Sequence, residues 1–254
     1  MVKRILYLFL TNLMIQQADA AEIHIDSHRP QDFVDITTVA PNVQVDIRYF
    51  TAHNFMGRPI KGYDAPVCLL TRPAANAVKQ VAERLHPFGL TVKVYDCYRP
   101  QTAVNDFITW AKDPFQNRMK TEFYPQVEKS RLFDEGYLMA ESSHSRGSTL
   151  DLTIVPLGSK IPPYNSRRSR VNCTAPEGRR SPDNSLDFGT GFDCFSPLSH
   201  PDSLLLTAQQ RANRLLLQTL MREAGFNSLD TEWWHFTLTH EPYPDTWFDF
   251  PVSR

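Results

Sequence analysis

The chain has 254 residues, of which 41% are hydrophobic, 22% charged and 11% aromatic. This length and composition suit a single globular domain with a buried core, and they exclude disorder and fibrous structure. Twenty-seven basic side chains against 28 acidic ones leave a net charge of −1. No overall charge therefore attracts nucleic acid or an anionic membrane, and a small neutral or zwitterionic ligand is expected.

The N-terminus has the pattern of an export signal. Lys3 and Arg4 precede a short apolar stretch, which ends in the small residues Ala18 and Ala20. We predict a signal peptide over residues 1–20 and a mature domain over residues 21–254. The apolar stretch is too short to span a bilayer, so no membrane anchor is expected after cleavage. A buried N-terminal strand or an uncleaved anchor is the alternative.

The four cysteines are Cys68, Cys97, Cys173 and Cys194, and no two of them form a C-x-x-C pair. In an exported chain this pattern favours disulfides over a structural zinc cluster or buried free thiols. Three pairings are possible. Short loops favour Cys68 with Cys97 and Cys173 with Cys194, because the second bridge would then tie down a long polar insertion.

Residue periodicity predicts strands and helices without regular β-α-β alternation. The expected strands cover residues 43–49, 90–95, 149–155 and 234–239, and the expected helices cover residues 71–86, 101–112 and 207–224;. Thr207 and Gln210 have the spacing of a capping box. The apolar stripe of that helix is predicted to contain Ala208, Ala212, Leu216 and Leu220. This order indicates an α+β domain with a largely antiparallel sheet flanked by helices.

Two segments have unusual polarity. In the strand 149–155, Leu150, Leu152 and Ile154 should face the core while Thr149, Asp151 and Thr153 form a polar face;. Residues 158–186 read as a long irregular insertion, which is typically functional or tied down. Its arginines are predicted to be solvated rather than to bind an anion: Arg167, Arg168, Arg170, Arg179 and Arg180.

Two short blocks contain residues suited to metal chemistry. His144 lies in a Ser/Gly loop seven positions before Asp151, so these side chains meet only if the chain turns at Gly147. Glu232 and His235 are three positions apart, a separation that places side chains on opposite faces of a regular strand. For both to serve one site, Glu232 must lie in a turn or bulge before the strand.

Together, His144, Asp151 and His235 supply ligand types that zinc accepts, and they leave a fourth position for water;. An open position indicates catalysis, in which zinc lowers the pKa of water and polarises a carbonyl. Glu232 is the expected proton shuttle. Spacing alone leaves open that each of these side chains has a separate structural role.

Ordered sequence blocks across the mature chain resemble those of zinc D-alanyl-D-alanine dipeptidases. The blocks are DIRY at 46–49, NFMG at 54–57, GY at 62–63, YRP at 98–100, SSHSRG at 142–147, DLT at 151–153, GFD at 191–193, EWWH at 232–235, EPYP at 241–244 and FDFP at 248–251. The resemblance implies one zinc per chain, bound by His144, Asp151 and His235. It also implies that Glu232 is general base and then general acid.

Further roles follow from the same resemblance. Arg99 occupies the position that stabilises the oxyanion, and Asp193 the position that receives the substrate ammonium;. Ser142, Tyr49 and Tyr63 match polar or aromatic substrate-binding positions. The export signal, the set of four cysteines and the Arg-rich insertion differ from the cytoplasmic relatives.

The expected function is hydrolysis of the dipeptide D-Ala-D-Ala in the periplasm, linked to peptidoglycan turnover. One alternative keeps the zinc and makes the protein a D,D- or L,D-carboxypeptidase acting on stem peptides. Another alternative is a wall-binding module that does not catalyse hydrolysis. A chain of that kind would be expected to lack the general base. Glu232 is present.

Overall fold

The computed structural model describes residues 24–165 and 170–254. The predicted signal peptide, Arg167 and Arg168 therefore lie outside the described residues. Among the helices of the described residues, none combines the length and the apolar character needed to cross a bilayer.

A five-stranded sheet forms the centre of the domain, in the order β3-β5-β6-β8-β7. Its strands are β3 (Gln44–Val45), β5 (Leu90–Asp96), β6 (Thr149–Pro156), β7 (Phe226–Leu229) and β8 (Glu232–Leu238). All neighbours pair antiparallel except β3 and β5, which are parallel. The predicted α+β class with a largely antiparallel sheet is confirmed.

Two small sheets and the helices surround this centre. β1 (His24–Asp26) pairs in parallel with β9 (Thr246–Phe248), and β2 (Phe33–Asp35) pairs antiparallel with β4 (Leu69–Thr71). The α-helices are α1 (Ile36–Val39), α2 (Arg72–Leu85), α3 (Gln101–Lys112), α4 (Lys120–Phe123) and α5 (Ala208–Glu223). Short 3-10 helices cover Arg48–Phe50, His86–Phe88, Lys129–Arg131, Ser143–Arg146, Glu177–Arg179 and Pro197–Ser199. α2 packs against β5, and α5 packs against β7.

The predicted helices agree with the structure more closely than the first predicted strand does. α3 has the predicted bounds, and α5 begins with the predicted capping box of Thr207 and Gln210. The strand expected over residues 43–49 is wrong, because only Gln44–Val45 pairs in the sheet. The chain leaves the sheet where the buried Arg48 guanidinium pairs with Asp46 at 2.8 Å and Asp183 at 2.6 Å.

The inner face of α5 differs from the predicted stripe. Ala208, Ala212 and Leu216 are exposed, and of that stripe only Leu220 is buried. The buried face instead includes Arg214, whose guanidinium donates to the carbonyls of Phe188, Leu198 and His200. A hydrophobic pattern cannot predict a charged residue on the inner face of a helix when loop carbonyls accept its hydrogen bonds.

The insertion covers the polar face of β6. Thr153 Oγ1 lies 2.5 Å from Ser185 Oγ, and Asp151 and Thr153 are as buried as the core face. Arg180 was expected in solvent, but its side chain is 9% exposed and pairs with Asp187 at 2.6 Å. Arg170 and Arg179 are exposed as predicted.

Both favoured disulfides are present. Cys68 is bonded to Cys97, and Cys173 is bonded to Cys194. The second bridge ties the insertion to the segment just after Asp193. The first joins the start of β4 to the segment just after β5.

Candidate active site

The predicted turn between His144 and Asp151 is present. The 3-10 helix Ser143–Arg146 ends at Gly147, whose φ is 81°. A Cβ atom at Gly147 would lie 2.2 Å from the Phe33 ring, so only glycine allows this close approach;. The turn brings the His144 imidazole back over the side chain of Asp151.

Three ligand atoms from separate parts of the chain form a compact triangle. His144 Nε2 lies 3.2 Å from His235 Nδ1 and 3.4 Å from Asp151 Oδ1. The third edge, from His235 Nδ1 to Asp151 Oδ1, is 3.2 Å. Tetrahedral zinc with bonds of about 2.0 Å requires ligand atoms about 3.3 Å apart. Within the described chain, Asp151 Oδ1 is buried and accepts no hydrogen bond, so the residues fit a zinc ion.

The protonation states of these groups also suit a cation. Burial would raise the pKa of Asp151, but the His144 and His235 rings beside it hold that pKa well below its ordinary value. Burial lowers the pKa of His235. Near neutral pH the cluster therefore presents a carboxylate and a neutral imidazole, the forms that bind metal.

The outward nitrogen of each histidine has a hydrogen-bond partner. His144 Nδ1 lies 2.7 Å from the Cys97 carbonyl oxygen, which accepts its hydrogen. His235 Nε2 lies 3.3 Å from Ser143 Oγ. Such partners determine which ring nitrogen is left to face a metal. Neither partner was predicted from the sequence. Every residue has a backbone carbonyl, so its residue type does not reveal such a role, and Ser143 is one of several serines in its loop.

Glu232 lies beside the cluster, next to a register shift in the strand pairing, at the place where a turn or bulge was expected. It is the first residue of β8, and it pairs with Leu229 across a register shift between Ser228 and Leu229. This irregularity lets Glu232 Oε2 approach His235 Nδ1 to 3.7 Å despite their odd separation. Burial, with Asp151 and Asp193 nearby, raises the pKa of Glu232 well above its ordinary value.

Asp193 lies beside this cluster in a backbone conformation that is uncommon for residues other than glycine;. Its φ is 55°, and its Oδ2 accepts a hydrogen bond of 2.9 Å from the Tyr49 hydroxyl. Burial and the charge of Asp151 raise the pKa of Asp193 well above its ordinary value. A buried carboxyl with a raised pKa is suited to receive a cation;.

Arg99 is held by a carboxylate that sequence reasoning did not select. Its Nε and Nη2 donate to Asp96 Oδ2 at 2.9 Å and 2.8 Å, and its Nη1 lies 3.4 Å from Ser142 Oγ. Burial opposes the charge, but Asp96 keeps the pKa of Arg99 above its ordinary value. One feature of the sequence could have identified Asp96. It is an acidic residue at the end of a predicted strand, just before the Tyr-Arg-Pro turn that contains Arg99.

Tyr63, predicted as a substrate-binding residue, lies against Asp96. Its hydroxyl donates to Asp96 Oδ1 at 2.6 Å, and its ring packs on Tyr49 rather than lining the pocket. Tyr63 therefore supports the carboxylate that holds Arg99. Tyr49 does line the pocket.

Most of the predicted site residues line a single pocket. It is lined by Tyr49, Arg99, His144, Asp151, Asp193, Glu232 and His235, and the rest of its lining is Gly136, Tyr137, Leu138, Met139, Phe195 and Leu229. Ser142 lies behind it, against Arg99.

A His-Asp-His ligand cluster next to a buried carboxyl and a fixed guanidinium, on an α+β sheet, defines the class of metal-dependent hydrolases. A family model described as D-ala-D-ala dipeptidase matches residues 29–162 and 161–253. The chain belongs to this family, and it is a peptidase of the M15 metallopeptidases.

Curated relatives match most of the chain. The chain is 34% identical over 222 residues to a D-alanyl-D-alanine dipeptidase of Streptomyces coelicolor, covering 87% of this chain and 98% of the relative. It is 33% identical over 221 residues to one of Enterococcus faecalis, with the same coverage. Identity to one of Escherichia coli is 28% over 210 residues, covering 82% and 84%.

Proposed function

We propose that this peptidase is zinc-dependent and hydrolyses the dipeptide D-Ala-D-Ala to two D-alanines. The proposal rests on the finding that the metal-ligand triangle, Glu232 and Asp193 line one pocket. The names of the relatives support the substrate. A zinc ion held by His144, Asp151 and His235 would supply Lewis acidity toward the scissile carbonyl and favour deprotonation of water.

Glu232 moves the protons. Its pKa is raised by burial and by the neighbouring carboxylates, and a carboxyl with a raised pKa gives up and takes back a proton more readily at the pH of the reaction than an ordinary one does;. It takes a proton from the attacking water and then gives it to the leaving amine, whose bond to the carbonyl carbon breaks. Its position beside His235, and outside the ligand triangle, is compatible with this role.

Asp193 selects a free amino terminus. An arriving ammonium places a positive charge beside the buried carboxyl, and so favours its ionised form. The Tyr49 hydroxyl keeps one oxygen in place. Asp193 is 3% exposed, and pairing of a free ammonium with this buried carboxyl favours a dipeptidase over a carboxypeptidase, because a substrate extended beyond this nitrogen has no ammonium there.

Arg99 stabilises the negative charge that develops on the carbonyl oxygen. Asp96 holds the guanidinium through two nitrogens, and the rings of Tyr49 and Phe107 lie 5.0 Å and 5.2 Å from its Cζ atom. A cation fixed before reaction needs no reorganisation when charge appears, which is the requirement for this kind of stabilisation.

We place the reaction in the periplasm, where the substrate would come from peptidoglycan turnover. The signal pattern of residues 1–20 supports export. The two disulfides support an oxidising compartment, since cytoplasmic thiols are kept reduced;.

The test is a substrate panel with the zinc-loaded mature protein. D-Ala-D-Ala should be cleaved, whereas L-Ala-L-Ala and a muramyl pentapeptide should be cleaved at least about tenfold more slowly, a difference of 1.4 kcal/mol in transition-state binding. Released alanine of either configuration is measured by amino-acid analysis. Equal cleavage of the pentapeptide would establish the carboxypeptidase instead, and the absence of all cleavage would favour the binding module.

A further inference from the structure

The Cys68–Cys97 disulfide lies next to His144, one of the proposed metal ligands. The hydrogen bond from His144 Nδ1 to the Cys97 carbonyl oxygen is 2.7 Å long. It holds the imidazole with Nε2 directed at Asp151 and His235. Asp96 Oδ2 lies farther from the same nitrogen, at 3.5 Å, so the Cys97 carbonyl is the nearer partner that orients this ligand.

The backbone at Cys97 is no longer held by the central sheet. β5 ends at Asp96, and its pairing with β6 shifts register between Val94 and Asp96. Beyond this point the Tyr98 N–H donates to the Leu69 carbonyl at 2.9 Å. Neighbouring segments, rather than the ladder of β5, thus determine where the Cys97 carbonyl lies.

The disulfide joins this segment to a strand that also contacts the His144 turn. Cys68 immediately precedes β4, and its Cα lies 5.3 Å from that of Cys97. At the other end of β4, the Thr71 N–H donates to the Gly147 carbonyl at 2.8 Å. Both cysteines are buried. β4 therefore connects the turn that carries His144 with the carbonyl that orients it.

We propose that the Cys68–Cys97 disulfide positions His144 for zinc, so that zinc affinity depends on the oxidation state of this pair. The proposal rests on the zinc site of the proposed function. Cys97 is a positioning residue, since it acts through His144. In the reduced chain the carbonyl remains but its covalent constraint is lost, and His144 adopts orientations that bind metal less well. Such a chain would become fully active only where thiols are oxidised.

The Cys173–Cys194 disulfide offers a matched control. It is also buried, and its sequence separation is 21 residues against 29 for Cys68–Cys97. Loops of similar length make similar contributions to the free energy of unfolding in the chain-entropy account. This bridge adjoins Asp193 rather than a metal ligand. A loss of zinc affinity confined to the first bridge thus separates positioning from general stability.

The experiment compares the C68A/C97A and C173A/C194A variants with the wild type. Zinc dissociation constants are measured by competition with a chromogenic chelator, and folding of the metal-free proteins is checked by circular dichroism. We expect the dissociation constant to rise about tenfold in C68A/C97A, as when an outer partner of a ligand is lost, and to change less than about twofold in C173A/C194A. The visible spectrum of bound cobalt(II) should change only in C68A/C97A.

A second measurement avoids substitution of the first pair. The C173A/C194A protein is refolded anaerobically with Cys68 and Cys97 reduced, and its zinc affinity is compared with that of its oxidised form. Equal affinities would overturn the proposal, as would equal losses in both double variants. The proposal would also be overturned if neither the C68A/C97A variant nor the reduced C173A/C194A protein folds, because the Cys68–Cys97 bridge would then stabilise the whole domain. Failure of the wild type to bind zinc would instead reject the zinc site itself.

Discussion

Replacing Asp193 by asparagine should remove the charge at one end of the pocket while preserving the shape of the pocket. The φ of Asp193 is 55°, a conformation that asparagine tolerates better than alanine does;. The amide oxygen can still accept the hydrogen bond from Tyr49, which is 2.9 Å long. Any change in substrate preference then reports the charge alone.

The expected loss follows from the burial of the pair. Asp193 is 3% exposed, so water cannot replace the lost carboxylate. Removing one partner of a buried, hydrogen-bonded charge pair costs about 2 to 5 kcal/mol. At 1.4 kcal/mol per factor of ten, kcat/KM for D-Ala-D-Ala should fall by about 30-fold or more. N-acetyl-D-Ala-D-Ala has no ammonium, so its slow cleavage should change by less than about threefold.

The same substitution should stabilise the metal-free protein, increasingly so at higher pH. Burial raises the pKa of Asp193 well above its ordinary value. A carboxyl whose pKa rises on folding contributes stability below its unfolded pKa, and that contribution is lost as the pH rises through the folded pKa. Asparagine has no such loss. The Tm of the variant should therefore exceed that of the wild type by an amount that grows above about pH 4.

Two assays check these expectations. Release of D-alanine from the free and acetylated dipeptides, by wild type and variant, gives four values of kcat/KM. Thermal unfolding of both metal-free proteins is followed at several pH values. Equal loss on both substrates would refute the assignment of Asp193 to the ammonium, and a Tm difference that is independent of pH would refute the buried, raised pKa.

Three further substitutions test the remaining groups. Glu232→Gln should lower kcat by about 10² to 10⁴ while leaving zinc content unchanged by metal analysis, since the carboxyl is proposed to transfer protons and lies outside the ligand triangle;. His144→Ala and His235→Ala should each lose most of their zinc on dialysis, and stoichiometric zinc in both would contradict the ligand assignment. Tyr63→Phe should remove a donor from Asp96 and lower kcat by about tenfold, the value of one hydrogen bond, with KM and zinc content unchanged in steady-state and metal assays;.

Local pattern was sufficient for the regular helices. The bounds of α3 and the capping box of α5 depend on residues within a few positions of each other, so periodicity and capping chemistry predict them;. The same locality explains the errors. The inner face of α5 depends on Arg214 meeting carbonyls from a distant loop, and the burial of Arg180 depends on Asp187.

The sequence by itself determined which residue types are available for metal binding and proton transfer, and in which ordered blocks they stand. Only the tertiary structure decided that His144, Asp151 and His235 meet within 3.4 Å, since antiparallel pairing of β6 with β8 sets Asp151 opposite His235. It also decided that Asp96 and a backbone carbonyl support the site. Such partners are selected by distance across the fold, which no spacing along the chain encodes.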